Sequence, residues 1–239
     1  MQHVLERAVR VASRIIRTGR LRTKAPFSVK TALQKYFDGK QAIIVQIGAH
    51  TGVSNDHLNK LLLRNGKRWS AILVEPVPFL FQQLKSNYSR TPGVTVVDRA
   101  IGETSGEMTF YYIDPTAAAG GELPNWSDQL GSFSREHITK HGAELDKHIL
   151  AMPVRSSRLM DFLSEYGALG VDALIVDAEG HDYEIVSQLD FARATPRIIV
   201  YEHKHMPEVK QALLSSMLRG HGYTVVPQVE DTICLRELG

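Results

Sequence analysis

The sequence has one cysteine, Cys234, so it cannot close an internal disulfide and lacks the partners of a zinc knuckle. Nothing in its cysteine usage points to an oxidising compartment, and the default expectation is a cytoplasmic protein. No run of about 18 apolar residues occurs, since the longest apolar stretches, such as Ala42 to Val45, are only strand-sized; a membrane-spanning chain is therefore not expected. No Gly-Lys-Ser/Thr follows a glycine loop, which excludes a P-loop. An Asn/Asp-Pro-Pro-aromatic stretch is missing too, which argues against methylation of nucleic-acid bases.

What is there is an ordinary globular composition, 43% hydrophobic and 23% charged over 239 residues, enough to bury one sizeable core. Charge is distributed unevenly. Residues 1–24 hold seven basic side chains against Glu6, a net +6, so a total of +2 leaves the remainder acidic at −4. Val4, Ala8, Val11, Ile15 and Ile16 recur near helical spacing, and the segment reads as a basic amphipathic helix suited to peripheral membrane or protein contact. Arginines interrupt every would-be apolar core, which speaks against a secretory signal. Nucleic acid is not expected as a partner, because the basic run has no interleaved aromatics.

From residue 25 to 239 the chain reads as one domain of alternating strands and helices. Apolar, β-rich runs at 42–47, 71–74, 94–97, 173–176 and 197–201 alternate along the chain with helical patterns at 54–64, 79–88, 157–166, 183–189 and 208–219. Two final strands, 223–226 and 232–235, lie too close for a crossover and should pair antiparallel. The implied architecture is α/β, a largely parallel sheet covered by helices on both faces. An alternating stretch, 108–113, precedes residues 114–152, where periodicity is lost; so long a loop reads as a functional, lid-like insertion.

In such a sheet, ligands bind beyond the carboxyl ends of the strands. The first strand ends in Gln46-Ile47-Gly48-Ala49-His50-Thr51-Gly52, a tight turn that permits close backbone approach but lacks the middle glycine of a dinucleotide fingerprint. Glu75 ends the second strand, 23 residues past Gly52, where a carboxylate can accept from both hydroxyls of an adenosine ribose. Asp98 and Ala100 follow the third strand at the expected adenine edge; the competing reading is a simple turn with Arg99 in solvent. Asp177-Ala178-Glu179-Gly180-His181-Asp182 puts four ionisable side chains into six residues, although Asp182 reads readily as an N-cap. The fifth strand ends Tyr201-Glu202-His203-Lys204-His205, and carboxylates beside imidazoles suit either deprotonation of an alcohol or a divalent metal.

These stretches, with Val74-Glu75-Pro76, Arg99-Ala100-Ile101-Gly102, Asp177-Ala178-Glu179-Gly180 and Tyr201-Glu202-His203, resemble the FkbM family of S-adenosylmethionine-dependent methyltransferases. The resemblance implies a class I, Rossmann-like fold with a mostly parallel seven-stranded sheet, and methyl transfer to a hydroxyl on a sugar, glycan or secondary metabolite. Gln46 departs from it, standing where many relatives have an acid. On this reading Gln46, Gly48, Ala49, His50, Gly52, Glu75, Asp98, Ala100 and Asp177 bind the cofactor. Asp177, Glu179 and His203 serve catalysis, with Asp177 or His203 as base. Trp126, Phe133, Glu202 and His205 meet the acceptor. A magnesium or manganese ion would fall to Asp177, Glu179, Glu202 and His203. Two alternatives stay open at this point: a non-catalytic binding protein of the same fold, and a nicotinamide-dependent oxidoreductase, which the missing glycine disfavours.

Overall fold

A computed structural model describes residues 28–53, 56, 58–124, 126–127 and 130–237. The basic amphipathic helix expected over 1–24 lies outside the described residues. Helix α1 (Val29–Phe37) comes first, capped by Ser28, whose hydroxyl accepts from the Thr31 N–H. It buries Val29, Ala32, Leu33, Tyr36 and Phe37, the three- and four-residue spacing of one helical face. This helix precedes the first expected strand, at 42–47, and adds an element to the expected set.

Strand β1 (Ala42–Ile47) is followed by helix α2 (Asn59–Asn65), β2 (Trp69–Val74), α3 (Pro78–Tyr88) and β3 (Val94–Val97). Short β4 (Ala100–Ile101) leads to β5 (Gly106–Ile113), α4 (Pro115–Ala119), β6 (Gly131–Ser132), α5 (Arg135–Thr139) and a 3₁₀ turn at Ala143–His148. Then come β7 (Ile149–Ser157), α6 (Leu159–Glu165), β8 (Ala173–Val176), α7 (Asp182–Val186), β9 (Ile198–Glu202), α8 (Glu208–Gly220), β10 (Thr224–Pro227) and β11 (Asp231–Leu235). Among the described residues no helix is long and apolar enough to cross a membrane.

The main sheet has seven strands in the order β10-β11-β9-β8-β1-β2-β3, parallel except for β11, which runs against both its neighbours. This is the expected sheet, hairpin included. Because β1 is flanked by β2 on one side and β8 on the other, the chain reverses its direction of travel across the sheet at β1, which opens a crevice beyond the strand ends. Alternation distributes the core to both faces: Val45, Ile47, Ile72 and Val74 pack on one, Ile44, Ala71 and Leu73 on the other.

The insertion differs from the loop expected over 114–152. Strand β7 pairs antiparallel with β5 from Gly106↔Ser156 to Ile113↔Ile149, making with β4 and β6 a second, four-stranded sheet. Ile113, Ala117, Leu123, Leu130, Ile138, Leu145 and Ile149 form a separate apolar cluster beneath it. The segment was unreadable because its elements are too short to show a period, while β7 hides behind an internal proline, Pro153.

Candidate functional site

Register brings the chemistry together. Ile47 pairs with both Val74 and Val176, and Val176 pairs with Tyr201, so the next residues, Gly48, Glu75, Asp177 and Glu202, emerge side by side at one edge. The Gly48 and Ala49 N–H groups both donate to the Val74 carbonyl at 3.0 Å, folding the glycine turn back onto β2. Gly48 and Gly52 take φ of +75° and +67°, and His50 joins them in the left-handed region at +49°. The His50 N–H then donates to Glu75 Oε2, and the Val77 N–H to Glu75 Oε1, both at 2.9 Å. Burial outweighs these two bonds and pushes the Glu75 carboxyl up to about 7.

Two cavities meet at this edge. The first is lined by the glycine turn, Gln46, Glu75, Ala100 and Phe133, among others. Gln46 Oε1 is buried there without a hydrogen-bond partner. Asp98 is exposed and absent from this lining, whereas Arg99 turns inward. The solvated arginine of the turn reading is thus corrected: Arg99 is 4% exposed, ion-paired to Glu165 and donating to Ser157 Oγ at 3.1 Å. Phe133 packs edge-on against Phe110 at 5.3 Å and lies 5.4 Å from the His181 ring, on the side of the cavity that holds Ala100 rather than with Trp126.

The second cavity is an open trough holding Trp126, His141, Glu202, Lys204 and His205. Asp177 and Glu179 line both cavities, as do Asp56 and Leu130. Asp56 and His141 escaped the sequence reading. His137 and His141 stand four apart, which is a helical-face signal, but in a stretch whose periodicity was lost.

Crowded burial shifts the acids upward. Asp177, although exposed, is raised to about 6 by desolvation and then by Asp231 and Glu230; Glu202 rises to about 7 and Glu179 to about 8 through burial and then Asp177. The imidazoles move the other way. Burial takes His137 to about 3 and His205 to about 4, helped by Lys140 and by the other rings. His203 is placed apart from both cavities: its Nδ1 meets Thr232 Oγ1 at 3.0 Å, and its backbone is held by Glu230 and Gln211. A turn from His203 to Met206 swings His205, instead, against Glu179 and Glu202. Asp182 is likewise no N-cap. Fully buried inside the first turn of α7, it accepts from the Glu202 N–H at 2.9 Å and the Ala178 N–H at 3.3 Å, fastening the ends of β8 and β9 to each other.

A family model described as the methyltransferase FkbM domain matches residues 46–225, from the end of β1 into β10; the range holds the whole lining of the first cavity and, in the second, Asp177, Glu179, Glu202 and His205. Among solved structures, the chain is similar to precorrin-6y C5,15-methyltransferase from Geobacter metallireducens GS-15, at 11% identity over 91% of this chain and 90% of that one, with a TM-score of 0.42. It is also similar to the human methyltransferase 10 domain containing protein, at 13% identity over 90% and 85% with a TM-score of 0.43. A third, precorrin 8w decarboxylase from Methanobacterium thermoautotrophicum, is 12% identical over 90% and 92%, with a TM-score of 0.43. None of the curated proteins compared matches the chain.

Proposed function

We propose, from the premise that the chain belongs to the FkbM methyltransferase family and has its class I fold, that it transfers a methyl group from S-adenosylmethionine to a hydroxyl of a small-molecule or glycan acceptor. The observation that carries this reading is that Asp177 and Glu179 line both cavities, so a donor in one and an acceptor in the other would meet at a carboxylate.

The residues of the first cavity fit the donor. Each Glu75 oxygen accepts one backbone N–H, which leaves lone pairs for the two ribose hydroxyls. The unpartnered Gln46 oxygen suits the ammonium of the methionine end, as a neutral acceptor. When bound, the donor supplies a methyl group on a sulfonium, whose displacement releases a neutral sulfide. The chain's part is to position the acceptor oxygen in line and to remove its proton as the carbon–oxygen bond forms. Asp177, rather than His203, is the base, since it stands at the junction and its raised pKa strengthens it while leaving it ionised near neutrality. Trp126, 44% exposed on the trough, offers an apolar face for a sugar or another ring. A basic segment at residues 1–24 would bring the enzyme to anionic surfaces.

The test is calorimetric titration with S-adenosylhomocysteine, followed by transfer of labelled methyl to a panel of sugars, lipid-linked glycans and secondary metabolites. Binding with transfer to a hydroxyl is expected. Absence of binding, or transfer only to carbon or nitrogen, would overturn the reading.

A further inference from the structure

The trough holds side chains that proton removal from a hydroxyl does not require. Glu179, Glu202 and His205 each bring a ligand-type atom within 4.8 Å of the other two, and all three are half-buried. The His141 ring stands edge-on to His205 with centroids 4.6 Å apart. Two buried atoms in this group have no hydrogen-bond partner, Glu202 Oε2 and His141 Nε2. Such atoms are costly unless something satisfies them. Three separate parts of the chain converge here: the turn after β8, the segment from β9 to Met206, and the turn after α5.

We propose that Glu179, Glu202 and His205, with the His141 ring packed beside them, bind a divalent transition metal ion. A set of two carboxylates and an imidazole suits zinc, manganese or iron(II) better than magnesium or calcium, which favour oxygen alone. That differs from an oxygen-rich magnesium site built with Asp177 and His203, because His203 is turned to Thr232. His137 is close to both rings, at 5.5 Å and 6.2 Å, yet is not a ligand. The Lys140 ammonium lies 2.9 Å from its Nδ1 and must donate to it, so the proton of the neutral ring sits on Nε2. His137 acts as a spacer, packed over Gly180: a Cβ on that glycine would lie 2.2 Å from the imidazole. Lys204 is drawn aside by Glu230 at 2.7 Å, which keeps its ammonium from occupying the site.

The inference deepens the reading above only in location, since the metal lies in the cavity assigned to the acceptor, and its test does not need turnover. The untagged full chain, stripped with chelator, is titrated with Zn²⁺ and separately with Mg²⁺ by calorimetry, and with Co²⁺ by visible absorption. One Zn²⁺ per chain is expected, with no Mg²⁺ heat at the same concentrations and cobalt bands of a site with nitrogen ligands. His205→Ala and Glu202→Gln should each weaken Zn²⁺ by at least about tenfold, the scale on which even outer-shell changes act, while His203→Ala leaves it unchanged. Circular dichroism confirms that the variants fold. No Zn²⁺ binding by folded wild type, or equal losses in His205→Ala and His203→Ala, would overturn the proposal. S-Adenosylhomocysteine is titrated in parallel: its binding without Zn²⁺ binding sinks only the metal site, and Zn²⁺ binding without it sinks only the methyl-transfer reading.

Discussion

A Cβ placed on Gly48 would lie 1.7 Å from the carbonyl oxygen of Asp177. The first turn of the cofactor-side cavity and the backbone of the proposed base are therefore in direct contact, and the left-handed φ of +75° adds a second demand for glycine. Gly48→Ala should lower stability by about 1–3 kcal/mol, the cost of a forced backbone conformation, and weaken S-adenosylhomocysteine binding as the ends of β1 and β8 part. Denaturant unfolding and calorimetry together check it; a variant as stable and as tight as wild type would show that the turn relaxes freely.

Glu75 supports the same turn from the opposite side. Glu75→Ala should cost binding about 1.5–3 kcal/mol, the scale of hydrogen bonds to a charged group, because the ribose acceptor and the tether on the His50 N–H go together. An unchanged dissociation constant for S-adenosylhomocysteine would remove Glu75 from the site.

The sheet was legible because its signals are local. Six consecutive residues from Ala42 to Ile47 are β-rich, and the strand ends carry turn residues whose register follows from parallel pairing. Much of the site was legible for the same reason, since any polar residue just past Ile47, Val74, Val176 or Tyr201 emerges at one edge. What stayed hidden depends on direction rather than position. Nothing local says that His203 faces Thr232 and His205 faces Glu179, because a turn between them sets both. Arg99 reads as solvated until Glu165, 66 residues on, is seen to hold it. His141 needed the tertiary fold of the insertion, whose short elements carry no period of their own.

The crowded acids should make stability fall as pH rises from 6.5 to 8. Glu75, Glu202 and Glu179, ordinarily near 4.5, are raised to about 7, 7 and 8, so in this window the folded state holds protons the unfolded chain has lost. A raised carboxyl contributes stability that is present at low pH and disappears as pH passes through the folded value. The histidines act with the opposite sign, but only below their ordinary 6.5, since His137 and His205 are neutral in both states above it. Thermal melts in chelator-containing buffer should therefore give a lower Tm at pH 8.0 than at 6.5. Glu179→Gln should shrink the difference, and a Tm that climbs over this interval would contradict the shifts.

Asp177 has the most specific consequence, since it must be ionised to take a proton and is the carboxylate shared by both cavities. Its pKa of about 6 places the acid limb of turnover there: activity falls as pH drops through that value and is retained above it. Asp177→Asn keeps the shape of the side chain and leaves Glu75 and Gln46 untouched, so S-adenosylhomocysteine affinity should stay within a few-fold of wild type. Turnover, by contrast, should drop on the order of 10²-fold, the usual scale for losing a positioned base, and the limb near pH 6 should vanish with it. The limb distinguishes a base from a residue that merely holds the acceptor. If the variant is slow yet keeps the limb, the titrating group is elsewhere, with Glu202 next in line; if it is as fast as wild type, proton removal is not the task of this carboxylate.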